Sequence, residues 1–154
     1  MEYKIENRKT SILFFFRIFA PTNEIVVDKN TIIESWTNSS DKDFTTMNDL
    51  FKTKHYDWAL FMGHLSLEKL LKAVYLKNTG ENPPLIHDLR RIAEKANLSL
   101  TDQQQLQLDT ISRFNIKARY DDYKQSFYKL CTLEFTIEWI KQIKDCRTWI
   151  KQTL

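Results

Sequence analysis

At 154 residues the chain has the length of one ordinary domain, enough to bury a core without disulfide or metal staples. Hydrophobic residues make up 42% and charged residues 28%, which excludes a disordered chain, and a formal net charge of +3 suits an anionic ligand without providing the strongly basic surface of a duplex-binding protein. Two glycines and three prolines are too few for a strand-and-turn architecture. Gly63 and Gly80 alone build no phosphate-cradling loop, so dinucleotide-binding and P-loop readings fall away.

The first dense apolar run, SILFFFRIFA at 11–20, is about half the length of a bilayer-spanning helix and carries Arg17. No convincing small-x-small cleavage pattern follows it. It reads as an extension packed on the domain, or as residues upstream of the natural start, and no membrane association is expected. Pro21 and the polar run behind it mark a boundary, leaving 1–30 as an N-terminal extension and 31–154 as the domain.

The domain opens with TIIE, a capping box in which Thr31 caps and Glu34 reaches back. Ile33, Trp36, Ser40, Phe44, Met47 and Phe51 then recur at helical spacing, fading near Lys54. A second helix is predicted from His55 to Asn78, with Ala59, Leu60, Gly63, Leu67, Leu70, Leu71 and Val74 on one side. Gly63 on that face permits a close helix neighbour, and Gly80 with the following GENPP stretch stops the helix. A third runs from His87 to Ala96. A fourth opens at TDQQ, with Thr101 capping and Gln104 closing the box, and continues through Phe114.

The last helix is predicted from Asp121 almost to the C-terminus. It carries one apolar stripe through Tyr128, Cys131, Phe135, Trp139, Ile143, Cys146 and Ile150, and a second through Leu130, Leu133, Ile137 and Ile140. So broad a face implies more than one packing partner, including a dimer contact. Cys131 and Cys146 on one helix would lie roughly 22 Å apart along its axis. That is too far for a disulfide, and free thiols suit the cytoplasm. The fold class is therefore all-α, an up-and-down antiparallel bundle of four to five helices.

Candidate polar sites divide by their chemistry. His64, Glu68 and Lys72 line one edge of the second helix, where a Glu–Lys pair adds a few tenths of a kcal/mol to helix stability. With no HExxH motif, a metal site is not expected. His87, after the double proline, reads as a ring tying down the loop rather than facing a cleft. Asp121 and Asp122 read as helix-terminus caps rather than an acid–base pair. Arg119 and Tyr120, between two helices, offer a guanidinium for a phosphate or carboxylate and a ring for stacking.

SLEKLLKAVYLKNTG, IHDLRRIAEKA and ARYDDYKQSFY, in this order and separation, resemble the HEPN family of nucleotide-binding domains, in register from about Thr31 to the C-terminus. The resemblance implies a helical bundle, usually homodimeric. It also implies a frequent partnership with a minimal nucleotidyltransferase in a toxin–antitoxin-type pair, or metal-independent ribonuclease activity. The nuclease signature is an Arg followed a few residues later by a His and then a Tyr. Here Arg113 and Tyr120 take the flanking places but Ala118 stands where the histidine belongs, and no histidine follows His87. Alanine supplies no group that titrates near neutrality. The chain resembles instead the branch whose motif is small residue, Arg, Tyr, with Asp121 in place of the usual proline.

The expectation is a non-catalytic module that needs no cofactor and binds a nucleotide, RNA or a nucleotidyltransferase partner. Arg113, Arg119, Tyr120 and Lys72 would make the contacts, and Glu68, His87 and Asp121 would serve as cleft or structural polar groups. The competing expectations are a ribonuclease using His64 or His87, and a structural dimeric adaptor in which Arg119 is a buried ion-pair partner of Asp121 or Glu68.

Overall fold

The computed structural model describes residues 28–154, so the expectations for the apolar run at 11–20 lie outside the described residues. Helix α1 spans Lys29–Lys52. Its cap is Asp28, whose carboxylate accepts from the Asn30 N–H, rather than Thr31, which falls inside the first turn. Any acceptor at the right offset can close the first turn, and Asp28 provides one before Thr31 is reached.

A three-residue turn with Lys54 at φ +64° leads into α2, Tyr56–Thr79. Gly80 at φ +73° ends α2, returning its N–H to the Leu76 carbonyl at 3.0 Å, the left-handed stop that glycine accepts without strain. The two helices lie antiparallel, as their cross-contacts show. Lys29 Nζ donates to the Lys77 carbonyl (3.0 Å), Ser40 Oγ to the Ser66 carbonyl (2.6 Å), and Lys69 Nζ to Ser39 Oγ (2.8 Å).

α2 is the central helix, with Ala59, Leu60, Leu67, Leu70, Leu71 and Val74 fully buried. A Cβ at Gly63 would stand 2.5 Å from Ile143 Cδ1 and 3.0 Å from Met47 Sδ, so the missing side chain is what lets α1 and the last helix close on α2 together. The chain continues through α3 (Leu89–Lys95), which Asp88 caps by accepting from the Arg91 N–H. In α4 (Asp102–Arg119) Thr101 and Gln104 form the capping box expected from the sequence.

The long closing helix expected from Asp121 is broken in two. The Asp121 carboxylate accepts from the backbone N–H groups of Phe127 and Tyr128, each at 3.0 Å, and Asp122 accepts from those of Lys124 and Ser126. These bonds fold 121–125 into a turn, with Gln125 at φ +53°, and start a five-residue helix α5, Ser126–Leu130. Thr132 then caps α6, Leu133–Lys151, by accepting from the Phe135 N–H. Cys131 and Cys146 consequently do not share a helix; both are free and buried.

Among the described residues the fold is all-α with six helices, one beyond the expected four to five because of this break. No described helix is long and apolar enough to cross a membrane.

One buried cation ties three helices together. Arg147 of α6 donates to Ser40 Oγ of α1 (2.6 Å) and Ser66 Oγ of α2 (2.7 Å), pairs with Asp41, and lies 4.7 Å above the Phe44 ring. Asp41 also takes Lys151 at 2.7 Å. Removing Arg147 leaves two buried hydroxyls short of a donor and a gap in the α1–α2–α6 seam. We expect Arg147→Ala to lower unfolding free energy by about 3 kcal/mol in chemical denaturation.

Candidate functional site

The helical period places Asp57, Phe61, His64, Glu68 and Lys72 on one stripe of α2. Glu68 is the hub of its inner half. Its carboxylate receives His64 Nε2 at 3.1 Å, Lys72 Nζ at 2.7 Å and His87 Nδ1 at 3.0 Å. His64 is fully buried, and its Nδ1 has no partner among the described residues. Lys72 is buried as well, its ammonium 5.8 Å from the Trp36 ring centroid on α1.

His87 reaches Glu68 from the loop before α3, and its side chain is 60% exposed. It ties the GENPP loop to α2 through one ring nitrogen and leaves the other edge of the ring toward solvent. Burial by itself would raise the Glu68 carboxyl. Hydrogen bonds from His64 and Lys72, with the charge of the ammonium, outweigh that and hold it at about 2 against an ordinary 4.5.

At the outer half of the stripe stands Arg119, the last residue of α4. Its Nε donates to the Asn115 carbonyl at 2.9 Å, which sets the guanidinium 5.8 Å from the Phe61 ring and 5.3 Å from the Tyr120 ring. Arg119 is exposed and Tyr120 is 72% exposed. Among the described residues Arg119 forms no ion pair, which removes the buried pairing with Asp121 or Glu68 that the adaptor reading required. Asp121 is occupied instead with the α5 backbone, and those hydrogen bonds hold its carboxyl below the usual range.

The expected contacts therefore separate. Arg119 and Tyr120 meet, and Phe61 completes them. Lys72 lies eleven residues, roughly 16 Å of helix rise, beyond Phe61 and is committed to Glu68, so it is not a surface contact. Arg113 is exposed six residues before Arg119 on α4, a spacing that sets it on a different side of the helix. Ala118, in the place of the signature histidine, is buried in the core. Phe61 was missed by motif reasoning. Its membership of the His64–Glu68–Lys72 stripe was the available signal, since an aromatic on a polar helical edge has an unexplained partner.

The two cysteines supply no nucleophile: burial pushes the Cys131 thiol to about 12 and the Cys146 thiol to about 11. Among the described residues no group of three or more His, Cys, Asp or Glu is arranged to hold a metal ion.

A family model described as HEPN domain matches residues 33–153. No curated protein and no solved structure matches the chain.

The Glu68 hub has a measurable signature in acid. Its carboxyl titrates lower in the folded than in the unfolded chain, so its contribution is complete above about pH 4.5 and is lost as pH falls toward 2. That contribution is worth about 3 kcal/mol. Glu68→Gln should lower stability at neutral pH by a comparable amount and flatten the acid limb of a denaturation-versus-pH series.

Proposed function

The chain belongs to the HEPN domain family, and on that ground we propose that it is a non-catalytic module that binds a nucleotide or an RNA end. Arg119 provides the phosphate contact, Tyr120 a stacking ring, and Arg113 a second cation along α4. One observation carries this reading: an exposed guanidinium, without an ion-pair partner among the described residues, rests between two aromatic rings. A guanidinium held this way keeps hydrogen-bond donors free for an anion, and an open phenol ring accepts a base. Lys72 acts one step removed, through the charge balance of Glu68.

The partner reading has its own support. Leu130 at the end of α5 and Leu133 and Ile137, one turn apart on α6, form an exposed apolar row. A row of that kind suits a homodimer or a minimal nucleotidyltransferase partner of the toxin–antitoxin type. Intracellular action in the cytoplasm agrees with two free thiols.

A second reading rests on His87. A carboxylate behind one ring nitrogen orients an imidazole, and this ring is the exposed one. Glu68 lies seven residues from Phe61, so His87 stands roughly 10 Å along the stripe from the Arg119 platform. This favours a metal-independent ribonuclease over a pure adaptor as the alternative.

Fluorescence titration with nucleotides tests the main reading. Arg119→Ala should weaken binding about tenfold or more, as removal of a charge-assisted hydrogen bond does, with an unchanged thermal midpoint because the side chain is exposed and unpaired among the described residues. Equal binding by the variant contradicts it. RNA cleavage by the purified protein in chelator, abolished in His87→Ala, would establish the second reading instead.

A further inference from the structure

One cleft lies beside the Arg119 platform and is absorbed by none of the roles above. It measures about 370 Å³ and is lined by Lys54, Tyr56, Asp57, Tyr128, Lys129 and Cys131. Clefts that hold small ligands run from roughly 300 to 1,000 Å³, so this one accommodates a single sugar-phosphate unit or a base.

Its walls are set by the elements that set the platform. Asp57 sits one helical turn before Phe61 on the same stripe of α2, about 6 Å of rise. Asp121, which directly follows Tyr120, holds the Tyr128 N–H at 3.0 Å and so places α5 over the cleft. Asp57 and Tyr128 thus link the cleft to the elements that carry Phe61 and Tyr120.

The lining chemistry is that of a ribose phosphate. Lys54 and Lys129 are exposed, and neither forms a salt bridge among the described residues. Asp57 likewise forms none. Two ammonium groups suit a phosphate. A lone carboxylate repels one but accepts a hydrogen bond from a sugar hydroxyl. Tyr56 and Tyr128 supply ring surface. The basic cluster around Arg90 offers no such freedom, because Arg90 is already held by Glu94 at 2.8 Å and Asp109 at 3.0 Å.

We propose that this cleft is a ribose-phosphate subsite next to the platform, so that the preferred ligand is a short single strand of RNA rather than a free nucleotide. The proposal rests on the nucleotide-binding reading of Arg119 and extends it by one unit. The Lys54 and Lys129 ammonium groups take the neighbouring phosphate, and the Asp57 carboxylate accepts from the 2′-hydroxyl.

The test compares a nucleoside monophosphate with RNA and DNA tetranucleotides of one sequence, titrated by fluorescence at several salt concentrations. The variants are Lys54→Asn with Lys129→Gln, Asp57→Asn, and Arg119→Ala. Asparagine tolerates the left-handed backbone at position 54. The wild type should bind the RNA tetranucleotide about tenfold more tightly than the monophosphate, as one added charge-assisted phosphate contact would give. The double lysine variant should forfeit that gain and keep monophosphate binding within about twofold of wild type. Its salt slope on RNA should be shallower by about 0.7 for each phosphate that is no longer neutralised. Asp57→Asn, which keeps an acceptor oxygen but loses the charge, should reduce an RNA-over-DNA preference of about fivefold in the wild type.

A tetranucleotide that binds no better than the monophosphate overturns the subsite while leaving the Arg119 reading intact, provided that Arg119→Ala still weakens the monophosphate. A double lysine variant indistinguishable from wild type on RNA overturns it too. No binding of any of the three ligands overturns both.

Discussion

A carboxylate buried on the central helix organises this protein's polar chemistry. Glu68 would be costly to bury alone, and three donors from two segments of chain compensate it: His64 and Lys72 from its own helix, His87 from the loop before α3. The arrangement has two consequences. It draws Lys72 away from solvent, so the helix does not present a cation where its sequence shows one. It also pins the loop that delivers α3, and with it the Ser112 hydroxyl of α4, which accepts from the Leu89 N–H at 2.9 Å. That contact fixes α3 against α4.

The exposed guanidinium–phenol pair follows from how α4 ends. Tyr120 closes the helix with its N–H on the Ile116 carbonyl, and Asp121 and Asp122 then turn the chain into α5. The capping aspartates thus keep the guanidinium and phenol of Arg119 and Tyr120 outside the bundle while Phe114 and Phe127, 5.7 Å apart, seal the core beneath. Exposed basic residues run directly into the two capping aspartates within one short stretch, which is why that stretch is so dense in charge.

Local features were legible in the sequence: the all-α class, the Thr101–Gln104 box, the Gly80 stop, and the close approach at Gly63. Each depends on residues within a few positions, or on one periodicity. The break between α5 and α6 was not legible, because the apolar stripe continues through it. Cys131, the cap residue after α5, and Ile143 of α6 both face the core. What separates the two helices is Thr132, which accepts from the Phe135 N–H and starts α6 just after the Cys131 N–H has closed α5 on the Phe127 carbonyl, and spacing rules do not register that. His87 on Glu68 spans nineteen residues and depends on how α3 packs. The sequence placed Lys72 beside the arginines by type alone, whereas burial separates them.

The central claim, that a nucleotide lands on the outer half of the α2 stripe against the end of α4, is tested most directly by mapping amide chemical shifts during titration with a nucleoside monophosphate. The account predicts perturbations centred on Phe61, Arg119 and Tyr120, fading toward Lys72 and absent around Arg147. Shifts confined to the α6 face, or none at saturating nucleotide, would contradict it.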